Sequence, residues 1–222
     1  MNCRHIDCEQ GSPTWYQHRR GIPTASEFGR ILTQTTLILS KSADAYAEEL
    51  IAESISERLP LGVENYTSRS MRFGVETEDE ARSYFKLRTG FDARRCGFCV
   101  TPDGSMGCSP DGLVCDDLGE IIGGLELKVP EAKNHLRWLR GKSLPDEHRA
   151  QVHGGMIVTG LRRWWFMSYC PDLTDRGVEK CLLVSVVPDV YTDALSQAVT
   201  DFKVRLRAMA AELGVTLPSL SA

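Results

Sequence analysis

Apolar side chains in the N-terminal 90 residues recur three and four positions apart, with polar residues between them. Tyr46, Leu50 and Ile51 repeat in this way within residues 41–58, and a second stretch of the same kind covers residues 70–89. This spacing is typical of amphipathic helices. We therefore predict two long helices, the first ended by a Leu-Pro-Leu-Gly sequence and the second by a glycine.

Two shorter elements precede these helices. Residues 14–20 are predicted to form a short helix or turn that carries Trp15. A further helix is predicted to begin after Pro23, because Thr24 and Ser26 are both residue types that cap helix N-termini.

Between residues 93 and 130 the pattern changes to short alternating segments, separated by Pro-Asp-Gly and Asp-rich turns. Such segments predict strands. Beyond them we predict helices at 132–140, 145–160 and 189–213, and strands at 164–170 and 181–187. Helices followed by strands that enclose a helix pair favour an α/β or α+β layered fold. The length of 222 residues suits one domain, residues 1–222.

One predicted strand carries two opposite charges. Leu125, Leu127 and Val129 alternate with Glu126 and Lys128, so a strand places the carboxylate and the ammonium on one face and the apolar side chains on the other. Glu-x-Lys is a common triplet, and a surface ion pair is the simpler interpretation when the triplet is taken alone.

An acid from a neighbouring turn changes that interpretation. Asp111 lies in a Pro-Asp-Gly turn that leads directly into an apolar segment, whereas Asp103 lies in a second Pro-Asp-Gly turn and competes for the same role. If the two strands are neighbours, Asp111, Glu126 and Lys128 meet. Burying two carboxylates and a lysine beside a hydrophobic core costs free energy, and a divalent metal or an anionic substrate can compensate that cost. This combination fits metal-dependent phosphodiester cleavage.

Two further polar residues lie on apparently buried helix faces. Glu78 shares a helix face with Ala81 and Phe85, and Gln151 shares one with Val152. Glu78 is a candidate metal ligand or neighbour of one, and Gln151 a candidate to bind water or a ligand. The alternatives are a boundary glutamate and a core glutamine bonded to backbone.

A possible anion site lies near the N-terminus. Arg19 is followed by Thr24 and Ser26 at the predicted helix start. A guanidinium, two hydroxyls and free helix amides can bind an anion together. Simple helix capping beside a surface arginine explains the same residues equally well.

Composition limits the possible classes of protein. Apolar residues make up 42% and charged residues 25%, as in ordinary globular proteins. We find no run of 18 apolar residues and no signal-peptide core, and expect a cytoplasmic protein without a membrane span. The net charge of −4 argues against indiscriminate polyanion binding, but it permits a local basic surface for DNA.

The chain has eight cysteines. Free thiols in a reducing compartment are the expected state. Cys96 and Cys99, with Cys108 and Cys115, also allow a zinc or iron–sulfur cluster, but the spacing is weak because the last two do not form a close pair.

Taken together, the motifs resemble those of the phage lambda exonuclease family, also called YqaJ-type viral recombinases. The resemblance covers most of the chain and rests on five stretches in order: Trp15 with Arg19 to Ser26, Gly74 to Arg82, Cys108 to Gly112, Leu125 to Pro130, and Ala150 to Val152 before a tryptophan-rich strand. It implies a restriction-endonuclease-like fold, with a central mixed β-sheet flanked by α-helices. It also implies digestion of linear duplex DNA from 5′ to 3′, which releases 5′-mononucleotides and leaves a 3′ single-stranded tail.

The resemblance further implies roles for individual residues and for partners. Two Mg²⁺ or Mn²⁺ ions would be held by Asp111, Glu126, Glu78 and the carbonyl of Leu127. Lys128 would act on the nucleophilic water and Gln151 would orient water or a ligand. The 5′-phosphate would be held by Arg19, Ser26 and Ser109, with Thr24 nearby. Members look like ring-shaped homotrimers that enclose DNA and work with a single-strand annealing protein in the bacterial host cell.

The chain departs from the family pattern in three respects. His153 stands where the family has a second glutamine, Arg20 competes with Arg19 for the phosphate, and the cysteines are numerous. Two other functions remain open: an endonuclease with the same metal core, and a DNA-binding recombination module without catalysis.

Overall fold

A computed structural model describes residues 1–33, 35–56, 69–173 and 177–217, and the side chains of 69–76 are outside this description. The predicted end of the first long helix at Leu59–Gly62 falls outside the described residues, as do residues 174–176 between the strands predicted at 164–170 and 181–187. None of the helices in the described ranges is long and apolar enough to cross a membrane.

Six α-helices and one 3₁₀ helix lie within the ranges that the structure describes. The α-helices are α1 (Pro13–Arg19), α2 (Ala43–Ile55), α3 (Arg69–Thr89), α4 (Ala132–Gly141), α5 (Asp146–Thr159) and α6 (Val190–Glu212), and the 3₁₀ helix is Ala25–Arg30. The strands are β1 (Arg4–Ile6), β2 (Asp92–Arg94), β3 (Phe98–Val100), β4 (Gly107–Cys108), β5 (Gly112–Cys115), β6 (Ile121–Lys128), β7 (Trp164–Tyr169) and β8 (Cys181–Val186).

The central sheet has the strand order β2-β5-β6-β7-β8. Strands β6 and β7 are parallel and the other neighbours are antiparallel, so the sheet is mixed. The helix pair α4–α5 connects β6 to β7, as a parallel crossover requires. All six residues of β7 are buried, which is typical of a strand covered on both faces. The predicted fold class is confirmed: a mixed sheet flanked by helices.

The 3₁₀ helix corrects a prediction at the N-terminal anion site. Thr24 occupies the N-cap position, but its side chain makes no capping hydrogen bond. Its hydroxyl instead accepts a hydrogen bond from Arg19 at 3.2 Å. The predicted helix therefore begins near the expected residue, but it is a 3₁₀ helix. The hydroxyls of Thr24 and Ser26 at its start accept hydrogen bonds from Arg19.

Two glycines of α5 allow the helix to pack closely. A Cβ atom on Gly155 would lie 2.5 Å from the ring of Trp164, and one on Gly154 would lie 2.6 Å from the ring of Phe28. Between the 3₁₀ helix and the sheet, α5 therefore has room for no side chain at these two positions. This explains the Gly-Gly pair that follows His153.

We predict that Gly155→Ala lowers the free energy of unfolding by about 1–3 kcal/mol, because the new methyl group overlaps the indole of Trp164. Urea titration followed by circular dichroism measures this change. Gly141→Ala is the matched control, since its nearest neighbour outside the helix backbone would be 3.7 Å away. Equal stability of the two variants would contradict the packing argument.

Candidate active site

A pocket of about 150 Å³ opens between the 3₁₀ helix, the β4–β5 loop, β6 and α5. Its walls include six residues to which the sequence assigned a role: Arg19, Ser26, Ser109, Asp111, Glu126 and Gln151. The structure therefore brings into one cavity residues that are up to 132 positions apart in the chain, from Arg19 to Gln151. Thr24, Leu127 and Lys128 do not line the pocket but form hydrogen bonds with residues that do. Glu78 is close enough for the charge of Asp111 to affect it.

Asp111 is anchored to β6 by both its backbone and its side chain. Its N–H donates to the carbonyl of Leu125 at 3.0 Å, and its Oδ2 accepts a hydrogen bond from the Leu127 N–H at 2.7 Å. The antiparallel register pairs Gly112 with Leu125, so Asp111 lies beside Glu126. Burial raises the pKa of Asp111, while Lys128 and the Leu127 amide oppose that rise.

Glu126 and Lys128 form a partly buried ion pair on the same face of β6. Glu126 is 2% exposed, and its Oε1 accepts a hydrogen bond from the ammonium of Lys128. Burial raises the pKa of Glu126 to about 8, and the charge of Asp111 adds to the rise while Lys128 opposes it. This pair is not the exposed surface salt bridge that the triplet alone suggested.

Lys128 is held in its charged form. Burial lowers its pKa, but the carboxylates of Glu126 and Asp111 outweigh burial, so the pKa of Lys128 lies above its ordinary value. The group is an ammonium at neutral pH and acts there as a hydrogen-bond donor. One cation therefore faces two acidic side chains.

Glu78 approaches the same carboxylates from α3. Its Oε2 pairs with Arg82 Nη2 at 2.7 Å. Burial raises the pKa of Glu78, and the nearby charge of Asp111 raises it further, while Arg82 opposes both. As the sequence predicted, Glu78 lies on the helix face of the buried residues Ala81 and Phe85.

Within the part of the chain that the structure describes, no three His, Cys, Asp or Glu side chains stand ready as a metal-binding cluster. Glu78 is paired with Arg82, and Glu126 is paired with Lys128. Binding of a cation by all three acids would require these pairs to rearrange.

Arg19 is surrounded by hydroxyl groups at the other end of the pocket. Its guanidinium donates to Ser109 Oγ at 3.5 Å, to Thr24 Oγ1 at 3.2 Å and to Ser26 Oγ at 3.3 Å. It also lies 4.1 Å from the ring centroid of Trp15, whose indole N–H donates to Ser109 at 2.8 Å. Burial lowers the pKa of Arg19 from its ordinary value. A guanidinium fork among hydroxyl donors is suited to a phosphate.

Arg20 points away from this group. Its Nε donates to the carbonyl of Glu53 at 2.5 Å. The two adjacent arginines therefore separate, and Arg19 alone of the pair faces the pocket.

Gln151 and His153 of α5 also point in different directions. Gln151 lines the pocket, while His153 is buried and its Nδ1 lies 2.7 Å from Thr192 Oγ1. His153, which stands where the resemblance implies a second glutamine, thus bonds to α6 and stays outside the pocket.

His148, also on α5, stacks on Phe166. Burial lowers the pKa of His148 to about 4, so its ring is neutral at pH 7.

All eight cysteines are free thiols. The sulfur atoms of Cys96 and Cys99 are 3.5 Å apart, with Cys96 before β3 and Cys99 on it. Cys115 lies on β5, where its thiol bonds to the carbonyl of Leu113. The four cysteines considered from the sequence therefore do not surround one point.

Sequence reasoning gave no role to two side chains beside the pocket. Gln10 lines its wall and bonds to two backbone carbonyls, and Arg82 bonds to the carbonyl of Asp111 and to Glu78. Arg82 ends one of the five stretches that carry the family resemblance, but no role was assigned to it. No local pattern marks Gln10.

A family model described as the YqaJ-like viral recombinase domain matches residues 14–162. The chain belongs to this family. The matched range contains the 3₁₀ helix, α3, the sheet strands β2, β5 and β6, and all ten residues that the sequence assigned to the site. The resemblance drawn from the motifs is confirmed at the level of the family.

The chain is also similar in structure to solved exonucleases. An alkaline exonuclease from Laribacter hongkongensis, LHK-Exo, is 25% identical and superposes with a TM-score of 0.75 over 91% of this chain and 96% of that one. A phage-related exonuclease from Haemophilus somnus 129PT, 10% identical, superposes with a TM-score of 0.56 over 86% of this chain and 96% of that one, and is similar in fold alone. No curated protein matches the chain significantly.

The raised pKa of Glu126 predicts a pH dependence of stability in EDTA. A carboxyl whose pKa rises from 4.5 to about 8 on folding stabilises the protein below pH 4.5, and that stabilisation is lost as the pH rises through 8. Between pH 5 and 8 we therefore expect the free energy of unfolding of the wild type to fall relative to that of Glu126→Gln. The decrease is at most a few kcal/mol, because each unit of pKa shift corresponds to about 1.4 kcal/mol. Urea titrations at several pH values measure the difference, and parallel profiles would contradict the shift.

Proposed function

We propose that the protein is a nuclease of DNA recombination, and more specifically a divalent-metal-dependent exonuclease. It digests linear duplex DNA from 5′ to 3′, releases 5′-mononucleotides and leaves a 3′ single-stranded tail. Family membership and the likeness to an alkaline exonuclease support the broader statement. The observation that carries the finer one is a single small pocket with buried carboxylates at one end and an arginine–hydroxyl group at the other.

The donor set fits a divalent cation. Mg²⁺ is commonly held by one or two carboxylates, with water and substrate phosphate completing its shell. Asp111 and Glu126 supply two carboxyl groups in one pocket, and burial raises the pKa of each more than Lys128 lowers it. These two residues would hold the ion, with the carbonyl of Leu127. Glu78 would serve a second ion after leaving Arg82.

When bound, the cation supplies Lewis-acid stabilisation of the charge that develops on the phosphate. The protein's own groups do the rest. Lys128, charged at neutral pH, holds the attacking water and donates to it, and this charge argues against a role as the base. Gln151, half-buried on the opposite wall, orients the water or a ligand.

The arginine–hydroxyl group supports the direction of digestion. Arg19, Ser26 and Ser109 would bind the 5′-phosphate of the digested strand, with Thr24 holding the guanidinium in place. The next phosphodiester bond would then lie towards Asp111 and Glu126, which line the same pocket. A site for a terminal phosphate beside these acids supports end-directed cleavage over internal cleavage.

We also propose, on the family resemblance, that the chain forms a homotrimeric ring around DNA and delivers the 3′ tail to a single-strand annealing protein. A net charge of −4 is compatible with a ring whose bore is basic and whose outer surface is acidic.

With Mg²⁺, we expect the protein to degrade 5′-phosphorylated linear duplex to mononucleotides from the 5′ ends, and to act more slowly on 5′-hydroxyl ends, since Arg19 then lacks its anion. A time course with end-labelled and internally labelled strands measures both. Rapid cutting of covalently closed circular duplex would favour the endonuclease alternative. Binding without cleavage of any DNA would favour the non-catalytic module.

Lys128→Ala should lower the hydrolysis rate at least about 100-fold, because the variant loses the donor that holds the water. Calorimetric titration with Ca²⁺ should still detect cation binding, since both carboxylates remain. Lys133→Ala, on the exposed side of α4, is the control and should match the wild type. Wild-type rates in Lys128→Ala would overturn the role given to the lysine.

A further inference from the structure

The turn Ser109–Asp111 joins β4 to β5 and carries residues of both ends of the pocket. Ser109 belongs to the arginine–hydroxyl group, and Asp111 belongs to the carboxylate group. Because one residue, Pro110, separates them, the shape of this turn sets the spacing between the two ends. Proline has no N–H, so the turn can be held at this residue through its carbonyl oxygen.

Gln10 holds the turn from the N-terminal segment. Its Nε2 donates one hydrogen bond to the carbonyl of Pro110 at 3.0 Å and another to the carbonyl of Cys96 at 2.8 Å. Both hydrogens of the amide are therefore committed to backbone acceptors. Gln10 stands at the mouth of the pocket, where much of its side chain is exposed but its amide reaches inward.

Arg82 holds the turn from α3. Its Nη1 donates to the carbonyl of Asp111, one residue beyond the oxygen that Gln10 binds, and its Nη2 pairs with Glu78 at 2.7 Å. The side chain of Arg82 is 11% exposed, so its guanidinium is largely shielded from water. A planar fork with donors in fixed directions can hold a carbonyl and a carboxylate at once, which an ammonium cannot do with the same geometry.

We propose that Gln10 and Arg82 are positioning residues that clamp the Ser109–Asp111 turn from its two sides. Gln10 fixes the phosphate-binding end, and Arg82 fixes the cation-binding end. The inference rests on the function proposed above and adds to it two residues that touch neither the reacting atoms nor the phosphate. Loss of either contact lets the turn shift, and a misplacement of about 1 Å at a reacting centre lowers a rate by about 100-fold.

The experiment compares Gln10→Leu and Arg82→Lys with matched controls on α6. Gln10→Leu keeps the size of the side chain and removes both donors, and Arg82→Lys keeps the charge beside Glu78 and removes the fork. Gln197→Leu and Arg205→Lys change the same residue types at exposed positions that bond to Asp201 and Asp44. Thermal denaturation selects an assay temperature at which all five proteins are folded.

Two measurements distinguish a positioning role from a loss of folded structure: the preference for 5′-phosphorylated ends and the half-saturating Mg²⁺ concentration. Gln10→Leu should reduce the preference for 5′-phosphorylated over 5′-hydroxyl linear duplex by about tenfold, with the half-saturating Mg²⁺ concentration unchanged. Arg82→Lys should raise the half-saturating Mg²⁺ concentration by about tenfold, with the end preference unchanged; both expectations assume a shift smaller than 1 Å. Wild-type values for both variants, or the opposite pattern, would overturn the proposal.

A second readout keeps the clamp testable if the proposed function fails. If the wild type neither hydrolyses DNA nor distinguishes the two ends, the rate of amide hydrogen exchange at Asp111 tests the clamp. This N–H donates to the carbonyl of Leu125, so its exchange rate reports how firmly the turn is held. Faster exchange in Gln10→Leu and Arg82→Lys than in the two controls supports the clamp. Exchange at the wild-type rate overturns it.

Discussion

The structure depends on an unequal balance of charge at the edge of the core. Asp111 and Glu126 lie beside each other with Lys128 as their near cation, and Glu78 adds a third acid whose charge Arg82 partly offsets. Burying carboxylates without full compensation costs free energy, and the raised pKa values of all three acids express that cost. A fold keeps such an arrangement when something from solution completes it, and a divalent cation is the simplest candidate.

The fold brings these groups together by strand pairing. The register between β5 and β6 places Asp111 beside Glu126, and the buried strand β7 gives the other side of β6 a rigid support. The 3₁₀ helix and α5 pack closely through glycine, so Ser26 and Gln151 reach the same small cavity. Glu126 lies on a central strand of the sheet, whereas Asp111 and Ser109 lie in a short turn that additional hydrogen bonds hold in place.

Part of this arrangement could be predicted from the sequence. Alternation identified β6 and the shared face of Glu126 and Lys128, and helical spacing placed Glu78 beside Ala81 and Phe85. These predictions succeeded because each depends on the period of a single element. The family followed from the order of several motifs and is confirmed, whereas the roles of the individual residues stay predictions.

Other features were beyond the reach of local patterns. Gln10 bonds to a carbonyl 100 residues away, and such a contact leaves no periodic trace in the sequence. Arg82 carries a charge on a helix rich in charges, so its burial becomes visible only in the packed structure. Thr24 or Ser26 was predicted as the helix cap. Thr24 does occupy the N-cap position, but its hydroxyl accepts a hydrogen bond from Arg19 and makes no capping bond, because a tertiary contact overrides the local preference.

The most direct test of the central claim is calorimetric titration of the wild type and of Asp111→Asn with Mn²⁺ at neutral pH. The account predicts that the wild type binds the ion and that Asp111→Asn, which loses one carboxylate of the shared site, binds it at least about tenfold more weakly. Absence of Mn²⁺ binding by the folded wild type, or equal affinity in the two proteins, would contradict the claim that these acids share a cation.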